Sequence, residues 1–184
     1  MTNAAQAQTR TTWNIDPNHS HIEFSAKHMM FTTVKGRFAT VKGVLLADEA
    51  DLANSTVEVE IEAASLDTHA EQRDAHLRSD EFLSVEQFPQ LTFKSTRIEP
   101  VGEDKLRVFG DLTIRGVTQE VELDTTINGR GVSPYGQEVV GIAAQTRINR
   151  KDFGLTWNVA LEQGGVLVSD EVRIAIEFEA IKQS

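Results

Sequence analysis

The 184 residues contain no cysteine. That removes thiolate nucleophiles, zinc–thiolate sites and disulfide frameworks together, and it suits a reducing or an oxidising compartment equally well. No apolar run approaches the roughly 20 residues that a membrane-spanning helix needs. The first twelve residues, Met1 to Thr12, are mostly Ala, Gln, Thr and Asn with a single Arg. They lack the apolar stretch of a signal peptide and read as a flexible tail. Taken as it stands, the chain is expected in the cytoplasm, and in the periplasm if a leader has been removed. Basic residues are in deficit, 18 against 28 acidic, for a net charge of -10. A field of that sign repels phosphate backbones and anionic lipid surfaces, which argues against a nucleic-acid partner and against stable membrane insertion. P-loop, GxGxxG and GxSxG patterns are missing too.

What the chain has in abundance is period-two alternation. From Thr56 to Ala63, apolar and acidic residues exchange at almost every step: Val57, Val59, Ile61 and Ala63 against Glu58, Glu60 and Glu62. As a strand this gives one dry face and one wet face; as a helix the same residues would scatter around the axis. Val121, Leu123, Thr125 and Ile127 alternate in the same way, as do Val172, Ile174, Ile176 and Phe178. One wet and one dry face is the pattern of antiparallel sheet. Further strands are expected over Thr12–Asp16, Ser20–Met29, Val34–Ala47, Gln90–Ile98, Lys105–Arg115 and Glu138–Asn149, with Gly, Pro, Asn and Asp turn chemistry between many of them.

Eight or nine strands in sequential hairpins must dispose of their edges, and closure into a barrel removes them. Strands of ten or more residues favour a tall barrel over a compact sandwich. One segment breaks the pattern: between Ala70 and Gln87 there is no Gly or Pro, and Leu77, Phe82 and Val85 lie roughly on one helical stripe. One or two short helices are placed here, over one mouth. The expected architecture is all-β: a single antiparallel eight-stranded barrel over residues 13–184, preceded by the tail.

Three polar groupings are candidates for chemistry. His19 and His21, two apart on a strand, would share a face as two metal ligands do in jelly-roll enzymes. No further ligand follows at suitable spacing, so a capped turn is the expectation and no metal is predicted. Arg73-Asp74-Ala75-His76-Leu77 is the densest ionisable cluster. Asp beside His could fix an imidazole tautomer, but no nucleophile is tied to the pair. An Arg73–Asp74 ion pair or cap locking the helix to the rim is the structural reading, and polar head-group contact by Arg73 or His76 is the functional one. Asn149-Arg150-Lys151-Asp152-Phe153-Gly154 ends a strand with two cations, so Arg150 is a third candidate for a polar head.

The dry faces are the remaining chemistry. An eight-stranded barrel is just wide enough to fill with side chains or to hold one ligand. Inward positions include Phe24, Phe38, Phe93, Leu112, Ile114, Ile142, Ala144, Ile174 and Ile176, with Phe82 from the helical segment and Phe153 from the turn after Asn149. Gly110, Ser95, Thr40 and Thr146 are interspersed, and small residues among large ones are expected to leave a channel. A core filled by side chains is the alternative.

Taken in order, these pieces resemble the YceI family of bacterial lipid-binding, or polyisoprenoid-binding, proteins. The matching residues are Trp13-Asn14-Ile15-Asp16-Pro17 with His19-Ser20 and Phe24; Val34-Lys35-Gly36-Arg37-Phe38; and Thr68 with Arg73-Asp74-Ala75-His76-Leu77. They continue through Phe82, Phe88-Pro89 and Phe93; Gly110 to Thr118; and Asn149 to Gly154. The resemblance spans about Trp13 to Ile181. It implies a lipocalin-like barrel holding an isoprenoid or another long lipid, with no catalytic reaction and no cofactor; a homodimer is compatible with it. Many members of the family carry a signal peptide, and here this sequence departs from them. The expected function is therefore a carrier. Its rivals are a barrel enzyme using His19, His21 and Asp74 with a metal or as acid and base, and a structural or stress protein with a filled core.

Overall fold

In the computed structural model, which describes residues 10–184, the alternating segments pair into one antiparallel sheet that closes on itself. Its strands are β1 (Arg10–Ile15), β2 (His21–His28), β3 (Thr32–Phe38), β4 (Val41–Asp48), β5 (Thr56–Glu62), the two-residue β6 (Leu66–Asp67), β7 (Gln90–Pro100), β8 (Lys105–Ile114), β9 (Val117–Val132), β10 (Glu138–Asn149) and β11 (Glu171–Lys182). The ring runs β1-β4-β5-β7-β8-β9-β10-β11 and returns to β1, eight strands in all. The closing ladder is short: Trp13, Asn14 and Ile15 oppose Lys182, Ile181 and Ala180.

β11 has a second partner on the same edge. Its earlier residues Arg173–Glu177 pair with Ser25–His21 of β2, which continues to β3 and β6. β1 and β2 are thus one long wall strand interrupted by a single turn of 3-10 helix at Pro17–His19. The Ser20 hydroxyl bridges the gap by donating to the Glu179 carbonyl and accepting from the Glu179 N–H.

The sequence reading placed the tail at residues 1–12. Residues 1–9 lie outside those described, but Arg10, Thr11 and Thr12 are strand, opposite Asp48, Ala47 and Leu46. Thr11 also accepts the Trp13 indole N–H at 2.9 Å. The single strand expected over Val34–Ala47 is two, broken at Ala39 and Thr40, because the chain leaves the β2–β3 ladder there to join β1 and β5. The segment after Ala70 forms one α-helix, α1 (Glu71–Arg78), capped at Ser79. Turns follow it, so Phe82 and Val85 reach the core from non-helical backbone.

Two bulges decide which side chains face inward. In β7, Ser95 opposes Gly110 and Arg97 opposes Phe109, leaving Thr96 as the extra residue. Inward parity therefore passes from Leu91 and Phe93 to Ile98, and Arg97 stacks over Phe109 on the outside. The second shift lies between Gly141 and Ile142.

Glycine in these strands is not itself the open space that was expected among large residues, because a neighbouring ring covers it. A β-carbon on Gly110 would fall on the Phe93 ring and 2.6 Å from the Lys94 carbonyl oxygen, and one on Gly36 would fall on the ring of Phe24. Each ring occupies the place of the missing side chain against the wall. Gly110→Ala should therefore lower stability by about 1–3 kcal/mol, as overpacking does. Denaturant unfolding measures this, and an unchanged midpoint would refute the ring-over-glycine account.

Candidate functional site: the barrel interior

Inside the ring lies a cavity of about 300 Å³ whose wall is almost wholly apolar. Alternate residues supply it strand by strand: Val57, Val59 and Ile61 from β5; Leu106, Val108, Leu112 and Ile114 from β8; Val121, Leu123, Thr125 and Ile127 from β9; Val172, Ile174, Ile176 and Phe178 from β11. Val140 and Ile148 of β10 both line it. At about 3.4 Å per residue they stand roughly 27 Å apart along the strand. The void is thus long and narrow. Polar groups gather at its ends, with Glu49 and Arg130 among the lining residues at one and Arg150 at the other.

Of the apolar residues singled out in the sequence, Phe24, Phe38, Phe82, Phe93, Leu112, Ile114, Ile142, Ile174 and Ile176 all line this cavity. Phe153 does not. β10 ends at Asn149, whose side chain accepts the Lys151 N–H and starts a 3-10 turn, so Phe153 leaves the alternation and is packed into the core instead. Thr146 lines the void, whereas Thr40 is exposed and the Ser95 hydroxyl accepts the Val57 N–H. Ile98 escaped the sequence reading because the bulge at Thr96 inverts its parity. The β5 and β9 residues carried a clear signal in their alternation.

The three polar candidates separate. Arg73 and Asp74 do not pair with each other. Both converge on Thr68: Asp74 accepts its N–H at 2.9 Å and its hydroxyl, while Arg73 donates to that hydroxyl at 2.7 Å and to the Thr68 carbonyl at 2.8 Å. This ties α1 to β6. His76 packs edge-on against Phe82 and Trp157 and bonds Glu81, behind the cavity wall.

Arg150 alone of the three reaches the cavity. Its side chain is 3% exposed and donates to the carbonyls of Ser169, Leu155 and Trp157, which fastens the loop between the 3-10 turn and β11. Among the described residues its Nη2 has no hydrogen-bond partner and stands 3.9 Å from an equally unpartnered Asp170 oxygen. Burial pushes its pKa below the ordinary guanidinium value, with Asp170 opposing the shift.

His19 and His21 do not share a strand face. His19 ends the 3-10 turn, 66% exposed and 2.7 Å from the Asp16 carboxylate, whereas His21 opens β2 beside Glu177. Asp16, His19 and Glu179 bring ligand atoms within 4.8 Å of one another. Asp16 also accepts the Asn18 N–H, so turn capping accounts for the arrangement. Asp74 belongs to the separate Thr68 cluster, so the acid–base grouping of His19, His21 and Asp74 is not assembled.

A match to the YceI-like domain covers residues 13–180. The chain belongs to the YceI family. A UPF0312 protein of Staphylococcus epidermidis is 38% identical over 92% of this chain and 96% of its own length. Protein YceI of Salmonella newport is 36% identical over 90% and 83% respectively. Among solved structures, a Campylobacter jejuni YceI protein superposes with a TM-score of 0.74 at 31% identity, over 86% of this chain and 90% of that one. A polyisoprenoid-binding domain from Saccharophagus degradans shares the fold, with a TM-score of 0.66 at 17% identity over 93% and 98% of the two chains. No helix among the described residues is long and apolar enough to cross a membrane.

Two predictions follow from the polar clusters. Asp74→Ala strands the Thr68 N–H and hydroxyl, so it should cost about 1–3 kcal/mol, less than breaking a buried ion pair would. A thermal melt like wild type would show that Thr68 does not hold the helix. The Asp16 carboxylate, then Glu179, raises the His19 pKa, and the bond to His19 lowers that of Asp16. The stabilising charge on His19 is complete below the ordinary imidazole pKa and is lost as pH rises through its raised value. That on Asp16 is lost as pH falls through its lowered value. The turn is best held at roughly pH 4–6.5. An NMR titration should place the His19 midpoint above that of free histidine; an ordinary or lower midpoint would contradict the pairing.

Proposed function

We propose that this protein binds a long apolar chain, an isoprenoid or related lipid, inside the barrel and carries it without transforming it. The observation that supports the reading is the elongated apolar void. A core filled by side chains would leave no such volume, since protein interiors pack to crystal-like density. A dry engineered cavity of about 150 Å³ already takes up benzene, and this one is larger and drawn out along the strands. Each buried CH₂ of a guest gains about 0.8 kcal/mol, so a chain of ten or more carbons needs little polar recognition. The Saccharophagus relative's description as polyisoprenoid-binding fits the same chemistry. A polar head would meet the Arg150 end, where Nη2 has a donor to spare.

Ile114, on β8 and 5% exposed, lines the void and has no polar task. Ile114→Trp should give a folded barrel, its loss of stability staying below the roughly 1–3 kcal/mol of an overpacked core. It should no longer retain lipid, because the indole occupies the path of the chain. Lipid extraction and native mass spectrometry of wild type and variant, beside thermal melts, are the measurement. Wild-type protein from its own host that carries no lipid and takes up none, with the variant badly destabilised, would overturn the carrier reading.

A further inference from the structure

The tip of the β2–β3 hairpin has side chains that folding does not ask for. Met29 and Met30 occupy its two central positions with φ of 50° and 63°, and the Phe31 N–H closes the turn on the His28 carbonyl. Two successive positive φ values define the turn type that favours Asn-Gly and penalises bulky residues. Met30 is 60% exposed and the next residue, Phe31, 81% exposed. Strain and exposed apolar surface at one point, with no packing in return, mark a position kept for contact.

A second ribbon stands beside it, with a polar turn at Glu162–Gly165 and apolar residues on its arms. His28 bridges Val168, and the Met29 N–H donates to the Leu167 carbonyl; Leu167 in turn bonds Val159, and Ala160 bridges Val166. This ribbon carries Val159 and Val166, both exposed. Just inside it, Ala26 and Val168 line the cavity. The exposed Met30 and Phe31, the two valines of the second ribbon and the Arg150 end of the void are therefore one region of the molecule.

We propose that these two hairpins dock the barrel on the surface of a lipid bilayer, with that end of the cavity toward the membrane. The inference rests on the carrier reading, since a long-chain lipid must be collected from a bilayer. A pair of hairpin ends offers no groove for a peptide, whereas protruding Met, Phe and Val side chains suit the boundary between head groups and acyl chains. Charge favours the same occupant. Despite the net -10, the hairpin from Phe24 to Phe38 contains no Asp or Glu and carries Lys27, Lys35 and Arg37. Lys35 and Arg37 are paired with Glu23 and Asp67, but among the described residues the Lys27 ammonium bonds only the Thr33 hydroxyl, and the second ribbon has a single acid, Glu162, in its turn. Screening over about 8 Å at physiological salt confines what a membrane feels to this end.

The test is flotation of the full-length protein with vesicles of phosphatidylcholine, with and without phosphatidylglycerol. Wild type should float with both. Met30→Ser combined with Phe31→Ser should reduce binding by about tenfold or more, while Tyr135→Ser, at an 89% exposed turn between β9 and β10, should not. Lys27→Glu should weaken binding to the phosphatidylglycerol vesicles by about fivefold or more. Met30→Gly removes strain and apolar surface together, so it should melt higher yet float less. No flotation of wild type, or flotation equally lost in Tyr135→Ser, would overturn the proposal. So would a dimer in sedimentation that the double variant dissociates without vesicle binding. Lipid content measured on the same samples separates the two ideas: a loaded barrel indifferent to vesicles sinks the docking surface alone.

Discussion

The barrel exists because β11 meets β1, and that seam is only three residue pairs long. Small and flat-lying groups make it possible. Ala180 is fully buried beneath the join, packed with Trp13, Ile127 and Val140 in a cluster of its own. A larger residue at position 180 would hold β1 away from its partner. The 3-10 turn at Pro17–His19 lets the same edge of β11 serve β1 first and β2 afterwards, with Ser20 supplying hydrogen bonds where the ladder is interrupted. Closure removes the free edges that an open sheet of this length would present. It also forces every inward side chain to point at a common axis, which is the condition for an interior at all.

What becomes of that interior depends on where the large rings lie. Rings projecting toward the axis would fill an eight-stranded barrel. Phe24 and Phe93 instead take the places of side chains missing at Gly36 and Gly110, so their bulk thickens the wall. Glycine here works by receiving a ring from the neighbouring strand, and the lumen stays open because the ring has somewhere else to go. Two buried charged groups, Asp74 on Thr68 and Arg150 on three carbonyls, fasten α1 and the loop before β11. A barrel with an open middle cannot rely on central packing to hold its covers, and hydrogen-bonded anchors at the rim do that work.

Most of this was legible in the alternation. Strands such as Thr56–Glu62 announce their dry faces directly, and ten of the eleven apolar candidates line the cavity. The errors arise where facing depends on a partner that the alternation does not reveal. Thr96 becomes a bulge because of how β8 registers against β7, and nothing local to Thr96 says so. Phe153 keeps the apolar character of a strand residue but follows a cap at Asn149. Arg73 and Asp74 look like an ion pair when read as neighbours, yet both are claimed by Thr68, six residues before Asp74 and just after β6. Periodicity reports a face, whereas register decides which neighbour that face meets.

The two ends of the barrel are consequently unlike. At one, Trp13 and its cluster lie under the closing seam, and loosening them would open the ring itself. At the other, the cover is a loop fastened by Arg150, whose three carbonyl acceptors can be surrendered without breaking any rung of the ring. Local opening takes the least stable route available, so under the proposed function a guest would pass most cheaply at the Arg150 end. Arg150 there combines two properties that oppose each other. Its bonds hold the loop shut, while its Nη2, without a hydrogen-bond partner among the described residues, would be favoured by a new oxygen acceptor. A polar head arriving at that donor would satisfy what the closed loop leaves unsatisfied. The same residue that latches the empty barrel would then stabilise the loaded one.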